Sequence, residues 1–146
     1  MMNCLCANTR RAARLLTRFY EEQLRASGLT SPQFEILSAL AELSRLGRPG
    51  IAQTDLAAML GLDQTTLSRT LKLLIASGWV KRSRSTLDRR ETLYGITSAG
   101  IRARHSALPH WERAQAQMRE ALGPDFEAAL ALMQGVSRAV TELSAA

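Results

Sequence analysis

Residues 52–100 decide the fold of this chain: AQTDLAAMLGLDQTTLSRTLKLLIASGWVKRSRSTLDRRETLYGITSAG. The stretch begins with a short amphipathic segment, residues 53–60, which Gly61 ends because glycine tolerates the left-handed conformation common at helix C-termini. Two residues later, Asp63 can cap a second helix by accepting backbone N–H bonds. Two helices joined by a short turn that contains glycine are typical of a helix-turn-helix motif. The sequence therefore predicts helices at residues 53–60 and 64–77.

A β-hairpin is predicted directly after the second of these helices. Gly78 ends the helix, residues 79–84 alternate well enough for a strand, and residues 92–96 supply its partner. The polar segment between them, residues 85–91, forms the tip of the hairpin, a wing. The fold class is therefore expected to be mainly α with a small β-hairpin wing, a winged helix-turn-helix.

Positive charge is concentrated in the same part of the chain. Residues 64–104 carry nine basic side chains against two acidic ones, an excess larger than the formal net charge of +6 of the whole protein. Such an excess is the electrostatic footprint of a phosphate-binding surface, whereas an ordinary solvated surface intersperses the two signs. Double-stranded DNA is therefore the predicted partner. A winged-helix module that binds protein instead of DNA is the alternative class, and the clustered charge argues against it.

Amphipathic helices are predicted on both sides of the motif, within residues 7–30 and 101–146. Residues 31–100 form the DNA-binding region and are too few to cover both terminal helices. A symmetric homodimer built from these helices would cover them and would supply two DNA-reading units. The chain is thus expected to be one domain, residues 1–146, with dimerisation helices at both ends.

Two prolines bear on the predicted helix boundaries. Ser31 is expected to cap the second helix of the chain, with Pro32 at its first position, where the missing N–H costs nothing. Pro109 is expected to kink or interrupt the long helix after the wing.

The composition excludes other classes of function. No apolar run reaches the length of about 18 residues that spans a membrane, and the two cysteines favour a cytoplasmic protein over a disulfide scaffold. His105 and His110 do not have the i, i+4 spacing that a helical zinc site favours. No nucleophile motif, paired carboxylates or glycine-rich phosphate loop is visible. We expect no enzymatic activity, no metal and no cofactor.

The second motif helix carries the residues expected to read DNA. Its N-terminal half has polar side chains short enough to meet base edges: Gln64, Thr65, Thr66 and Ser68. Arg69 can be bidentate to a guanine, and Lys72 is suited to a phosphate. An ordinary solvated helix surface is the alternative interpretation of these polar residues.

The wing is expected to supply the other DNA contacts. These are Arg82 and Arg84 in its first strand and Asp88, Arg89 and Arg90 at its tip. One of the two tip arginines should enter a minor groove or clasp its backbone, while Asp88 holds an arginine by a charge-assisted hydrogen bond. A simple turn-forming role is the alternative for Asp88.

These residues resemble the MarR family of winged helix-turn-helix transcriptional regulators. The resemblance extends over nearly the whole chain and rests on the order and spacing of Thr30–Phe34, Leu56–Ala57, Gly61–Arg69, Gly78–Val80, Asp88–Arg90 and Ile96–Gly100. It implies a homodimer with interlocked terminal helices that represses or activates genes through a palindromic operator. Repression that an effector relieves is the expected mode, with activation as the alternative. Ala52 departs from the pattern, since the family usually has a hydroxyl residue there that caps the helix.

The same resemblance suggests a redox role for the N-terminus. Cys6 occupies the position of the reactive cysteine in the organic-hydroperoxide-sensing branch of the family, and Tyr20 matches a tyrosine that helps to hold the thiolate. A second supporting tyrosine of that branch is replaced by Arg10. The alternative is that Cys4 and Cys6 are small, inert residues packed at a terminus.

The family's other effectors are apolar or phenolic ligands, bound where the dimer helices meet the DNA-reading unit. The candidate lining residues here are Phe19, Phe34, Leu37 and Trp111. Ordinary core packing is the alternative for each of them.

Overall fold

The computed structural model describes residues 3–145. In chain order its helices and strands are α1 (Leu5–Leu24), α2 (Ser31–Arg45), β1 (Ile51–Ala52), α3 (Gln53–Leu60), α4 (Gln64–Ala76), β2 (Val80–Arg84), β3 (Thr92–Ile96), α5 (Ser98–Leu122) and α6 (Phe126–Ala145). Short 3-10 turns follow α1 at Arg25–Ser27 and α5 at Gly123–Asp125. Helices dominate and the strands form one small sheet, which confirms the predicted fold class.

The two motif helices form where the sequence predicts them. α3 has the predicted bounds, and α4 ends at Ala76, one residue before its predicted end. Leu67, Leu71 and Leu74 recur on one face of α4 and are all buried. Burying a leucine side chain stabilises the fold by about 1.5–3 kcal/mol, so this face fixes α4 against the core.

The sheet has three antiparallel strands in the order β1–β3–β2. β2 and β3 form the predicted hairpin, with Val80 opposite Ile96. The sequence does not predict β1, because a strand of two residues is too short to display the alternation that identifies strands. β1 pairs Ile51 with Tyr94 and runs directly into α3, so it ties the start of the helix-turn-helix to the wing.

Most of the buried side chains lie in the compact unit that ends at Trp111. Its core contains Ile36 and Leu37 of α2, Leu56 of α3 and Leu67 of α4, all inaccessible to solvent. Half-buried Trp79 and Tyr94 pack against this cluster from the hairpin. The core therefore holds together the elements that surround α4.

The predicted start of α2 requires a correction. Thr30, not Ser31, caps this helix: its side chain accepts the N–H of Gln33 at 3.4 Å, while the Gln33 side chain accepts the N–H of Thr30 at 3.0 Å. This reciprocal capping box satisfies two helix-terminal donors, whereas a serine cap at position 31 would satisfy one. Pro32 consequently occupies the second helical position.

Pro109 does not interrupt α5, which continues from Ser98 to Leu122. Proline removes its own N–H from the helical ladder and crowds the carbonyl four residues before it, but the hydrogen bonds on either side continue the helix. Thr97 marks the start of α5, where its hydroxyl accepts the N–H of Gly100 at 3.0 Å.

The second compact unit starts at Glu112 and contains the end of α5 and all of α6. The guanidinium of Arg119 lies 4.2 Å from the centre of the Phe126 ring and pairs with Glu127. No residue of α6 is classed as buried among those described, and Leu143 is 79% exposed. Within residues 3–145, none of the helices combines the length and apolar character that a membrane crossing needs.

Candidate nucleic-acid interface

A short turn between α3 and α4 sets the direction of the recognition helix. Gly61 ends α3 with a φ of 64°, in the left-handed region, which costs a residue with a side chain about 1–2 kcal/mol. The N–H groups of Gly61 and Leu62 donate to the carbonyls of Ala58 and Ala57 at 3.3 and 3.0 Å. Glycine at position 61 thus lets the chain leave α3 with its terminal carbonyls satisfied.

Asp63 caps α4, as the sequence predicts. One carboxylate oxygen accepts the N–H of Thr66 at 2.9 Å and the other accepts its hydroxyl at 2.5 Å. These bonds, that from the hydroxyl first, hold the pKa of Asp63 below its ordinary value. The Thr66 hydroxyl donates its hydrogen to Asp63, so that hydrogen is not available to a base. From the sequence, Thr66 is expected to be one of the base-reading residues.

The other predicted contacts of the recognition helix lie together on its accessible side. Gln64, Thr65, Arg69 and Lys72 are exposed, and Ser68 is half-buried. Recognition helices contact bases chiefly through their N-terminal residues, which is where most of these side chains lie.

A groove with a volume of about 330 Å³ lies between α4 and the hairpin. Ser68 and Lys72 line it from the helix, and Arg82 and Tyr94 line it from strands β2 and β3. Lys72 and Arg82 therefore offer positive charge to the same space from two different elements. A nucleic-acid backbone seated in this groove would meet both cations.

Gln53 also lines the groove, and the sequence reasoning missed it. Its side-chain amide donates to the backbone carbonyl of Gln64 at 3.3 Å and to the side-chain oxygen of Gln64 at 3.1 Å. The signal in the sequence is that a glutamine stands at the first position of each motif helix.

The tip of the wing is organised by Ser85, a second residue that the sequence reasoning missed. Its hydroxyl oxygen accepts the N–H of Leu87 at 3.2 Å and that of Asp88 at 3.3 Å. Its own N–H donates to the carbonyl of Glu91 at 3.0 Å, and Ser85 is only 6% exposed. Serine commonly makes such turns, so residue type and position could have identified this role.

The prediction that Asp88 binds an arginine side chain is wrong. Asp88 instead accepts the backbone N–H of Arg90 at 2.9 Å, and its carbonyl accepts the N–H of Glu91 at 3.0 Å. This is an Asx turn, which uses a nearby backbone donor and orders no long side chain. Asp88 is thus a turn former, and Arg89 and Arg90 are both exposed.

Among the described residues, the basic side chains of α4 and the wing have no carboxylate partner. Across residues 3–145 the ion pairs are Arg45–Glu42 and Arg119–Glu127, and both lie outside these elements. The seven exposed cations are Arg69, Lys72, Lys81, Arg82, Arg84, Arg89 and Arg90. We call this set the basic surface. No ion pair within residues 3–145 neutralises its charge, so the basic surface attracts polyanions.

The two thiols lie far from the tyrosine that the resemblance pairs with them. Cys4 and Cys6 are free and exposed at the start of α1. Tyr20 lies 14 residues beyond Cys6 on the same helix, which is about 21 Å along the helix axis. The two side chains therefore cannot touch within one chain, and their pairing needs a second copy. Burial raises the pKa of Tyr20.

The candidate ligand-lining residues are mostly part of the core. Phe34 and Leu37 are buried, and Phe34 stacks on Trp111 with ring centres 5.9 Å apart. Phe19 makes an edge-on contact with Tyr20. Core packing, the alternative interpretation, accounts for Phe34, Leu37 and Trp111. Nor does any group of three His, Cys, Asp or Glu side chains among residues 3–145 form a metal site.

Helices α3 and α4, with the basic hairpin beside them, make this a winged helix-turn-helix protein. Residues 27–91 match the model of the MarR family. The chain belongs to that family.

Relatives and solved structures agree with this assignment. The chain is 33% identical over 108 residues to the HTH-type transcriptional regulator TtmR of Methylorubrum extorquens, an alignment that covers 73% of this chain and 53% of TtmR. The chain thus spans between half and two thirds of the length of the curated relatives it matches. The Mycobacterium tuberculosis transcriptional regulator MosR, solved in complex with DNA, is 30% identical, with a TM-score of 0.83 over 97% of this chain and 98% of MosR.

The fold is also that of more distant proteins. MarR of Escherichia coli, solved without ligand, is 22% identical, with a TM-score of 0.73 over 93% of this chain and 98% of MarR. At this identity the likeness concerns the fold alone.

Proposed function

We propose that this protein is a homodimeric, sequence-specific DNA-binding regulator of transcription. It represses genes from a palindromic operator and is released by an effector. The basic surface is the observation that supports the proposal. Its seven exposed cations have no acidic partner in the part of the chain that the structure describes, and they lie around the exposed first turns of the recognition helix. MosR, which was solved in complex with DNA, supports it by likeness. A cytoplasmic location follows from this proposal.

The dimer is supported by apolar side chains that one chain leaves uncovered. Leu5 and Leu15 of α1 are 63% and 52% exposed, and Leu132 and Leu143 of α6 are 61% and 79% exposed. Large apolar side chains that an amphipathic helix leaves exposed are candidates for contact with a partner. A second copy of the chain is the partner that would also supply a second recognition helix for a palindrome.

The test is binding of the purified protein to DNA from upstream of its own gene, followed by fluorescence anisotropy at several salt concentrations. Arg89→Ala should weaken binding to all sequences alike and reduce the slope of log K against log [salt] by about 0.9 for each copy, about 1.8 for the dimer, because each copy loses one phosphate contact. Arg113→Ala removes an exposed arginine from α5 and serves as the matched control. Absence of site preference in the wild type, or an unchanged slope for Arg89→Ala, would contradict the proposal.

A thiol switch is the candidate effector mechanism, because both cysteines are exposed and free. An organic hydroperoxide would oxidise the Cys6 thiolate to a sulfenic acid and be reduced to its alcohol. Treatment with cumene hydroperoxide should then lower operator affinity in the wild type and leave Cys6→Ser unaffected, with Cys4→Ser as the control. Full operator binding after oxidation of Cys6, measured by mass spectrometry, rejects this mechanism.

A further inference from the structure

The first residues of the two motif helices are joined by a pair of side-chain amides. Gln53 begins α3 and Gln64 begins α4. The nitrogen of the Gln53 amide donates to the main-chain oxygen of Gln64 at 3.3 Å and to its side-chain oxygen at 3.1 Å. An amide nitrogen has two hydrogens, so it can serve both acceptors. The pair thus links the supporting helix directly to the recognition helix.

The contact with the main-chain carbonyl of Gln64 determines which end of each side-chain amide is the oxygen and which is the nitrogen. A backbone carbonyl can only accept a hydrogen bond, so the end of Gln53 that faces it must be the NH₂ group. The atom of Gln64 next to that NH₂ group must then be its side-chain oxygen. The NH₂ group of Gln64 is consequently directed away from Gln53, and its oxygen keeps a second lone pair.

Gln53 is well suited to hold another side chain in place. It is half-buried and lines the groove beside α4. It also begins α3, which follows directly on β1, the strand that pairs with β3 of the wing. Gln64, by contrast, is exposed at the N-terminus of the recognition helix. A free glutamine in such a position would sample many rotamers, whereas the hydrogen bond from Gln53 favours the rotamer that makes it.

The oriented amide has the donor and acceptor pattern that reads one base. A glutamine side chain that presents both its oxygen and its NH₂ group is bidentate to adenine, with the oxygen accepting from N6 and the NH₂ group donating to N7. We propose that Gln64 reads an adenine in each operator half-site and that Gln53 is the positioning residue that holds Gln64 for this contact. This inference rests on the proposed function. It does not require Gln53 to touch DNA.

The experiment compares base preference, not affinity alone. Wild-type protein is first used to select sites from a pool of random DNA duplexes. Binding is then measured to the selected duplex and to versions with each other base at every position. The variants are Gln64→Ala, Gln53→Met and the double variant, since methionine keeps the length of glutamine but cannot donate to Gln64. Gln117→Met makes the same change at an exposed position of α5 and is the control.

We expect Gln64→Ala to abolish a preference for adenine of about 5- to 150-fold at one position of each half-site. Gln53→Met should reduce the preference at that same position, and the double variant should lose no more than Gln64→Ala alone. Gln53→Lys restores a donor and should recover the preference, whereas a merely structural loss at position 53 would not be rescued.

Three outcomes would overturn the inference. Gln53→Met could weaken binding to all bases equally, which identifies a phosphate contact, or its effect could add to that of Gln64→Ala. The position that responds to Gln64→Ala could also select a base other than adenine. Failure of the wild type to select any site is distinguishable from these, because it overturns the proposed function itself.

Discussion

At the scale of single residues, the recognition helix divides its polar side chains between two tasks. Asp63 and Thr66 bond to each other and satisfy the helix terminus. Gln64 is held by Gln53, while Arg69 is exposed and makes no ion pair among the described residues. Residue type alone does not separate these tasks, because a threonine hydroxyl suits a cap and a base edge equally well.

Arg69→Ala should relax base preference without destabilising the fold. The side chain is exposed, so the free energy of unfolding should change by less than about 0.5 kcal/mol. Loss of a bidentate contact to guanine should cost about 1–3 kcal/mol of discrimination at one base pair, measured by competition between operator variants. Arg69→Lys keeps the charge but not the planar fork, so it should lose the same discrimination while keeping the salt dependence. An unaltered site preference would remove Arg69 from the base-reading set.

The Asp63 cap makes stability depend on pH in one direction. Hydrogen bonds from Thr66 lower the pKa of Asp63 in the folded state. Its contribution is therefore fully present above the unfolded-state pKa of about 3.9 and is lost as pH falls through the lower folded-state value. Asp63→Asn keeps a capping side chain but cannot titrate.

Urea unfolding from pH 7 to pH 2.5 checks this expectation. The wild type should lose its advantage over Asp63→Asn at the acid end, because only the wild-type cap becomes protonated. A stability difference that stays constant across this range would show that the charge of Asp63 does not contribute.

At the scale of elements, the sequence predicts what periodicity and capping chemistry specify. The bounds of α3 follow from an apolar face and a terminal glycine, and the hairpin follows from two alternating segments. Strand β1 escapes prediction because Ile51 and Ala52 pair with a strand some forty residues away, a contact that no local pattern encodes. Ala52 stands at the N-cap position before α3 and makes no side-chain capping bond, as its residue type predicts.

The site is predictable to a similar degree. The sequence identifies the basic side chains and the accessible turns of α4, because both are local properties. It does not identify Gln53, which acts through a partner 11 residues away, or the orientation of Asp88, which depends on how the wing tip folds.

The wing tip depends on one buried hydroxyl. Ser85→Ala leaves two backbone N–H groups without their acceptor, which should cost about 1–3 kcal/mol of local stability. Hydrogen exchange at the amides of Leu87 and Asp88 should accelerate, and DNA affinity should fall because the tip arginines lose their fixed positions. Thr86→Ala changes an exposed neighbour and is the control. Unchanged exchange rates in Ser85→Ala would mean that the strands alone hold the tip.

At the scale of the whole molecule, the basic surface and the helices proposed to form the dimer occupy different elements. The basic surface lies on α4 and the wing, whereas α1 and α6 carry exposed leucines such as Leu15 and Leu132. In the proposed function, one basic surface would read only a few base pairs, so operator specificity would require two of them at a fixed separation. In a symmetric dimer, recognition helices address half-sites about 34–36 Å apart, which is one turn of DNA. The terminal helices would therefore determine specificity without touching DNA.

Separating the two copies should accordingly abolish operator recognition while sparing the fold of each chain. Val140 and Leu143 of α6 are 56% and 79% exposed in one chain, so glutamates there cost little within the chain but oppose its association. Sedimentation of the double variant Val140→Glu/Leu143→Glu should show a shift to monomer, and operator affinity should fall to that of one half-site. Leu87→Glu changes a 99% exposed leucine of the wing tip and should leave the dimer intact. If two copies are needed, a variant that becomes monomeric must also lose operator affinity. A monomeric variant that keeps full operator affinity would refute the proposal that a dimer reads the operator.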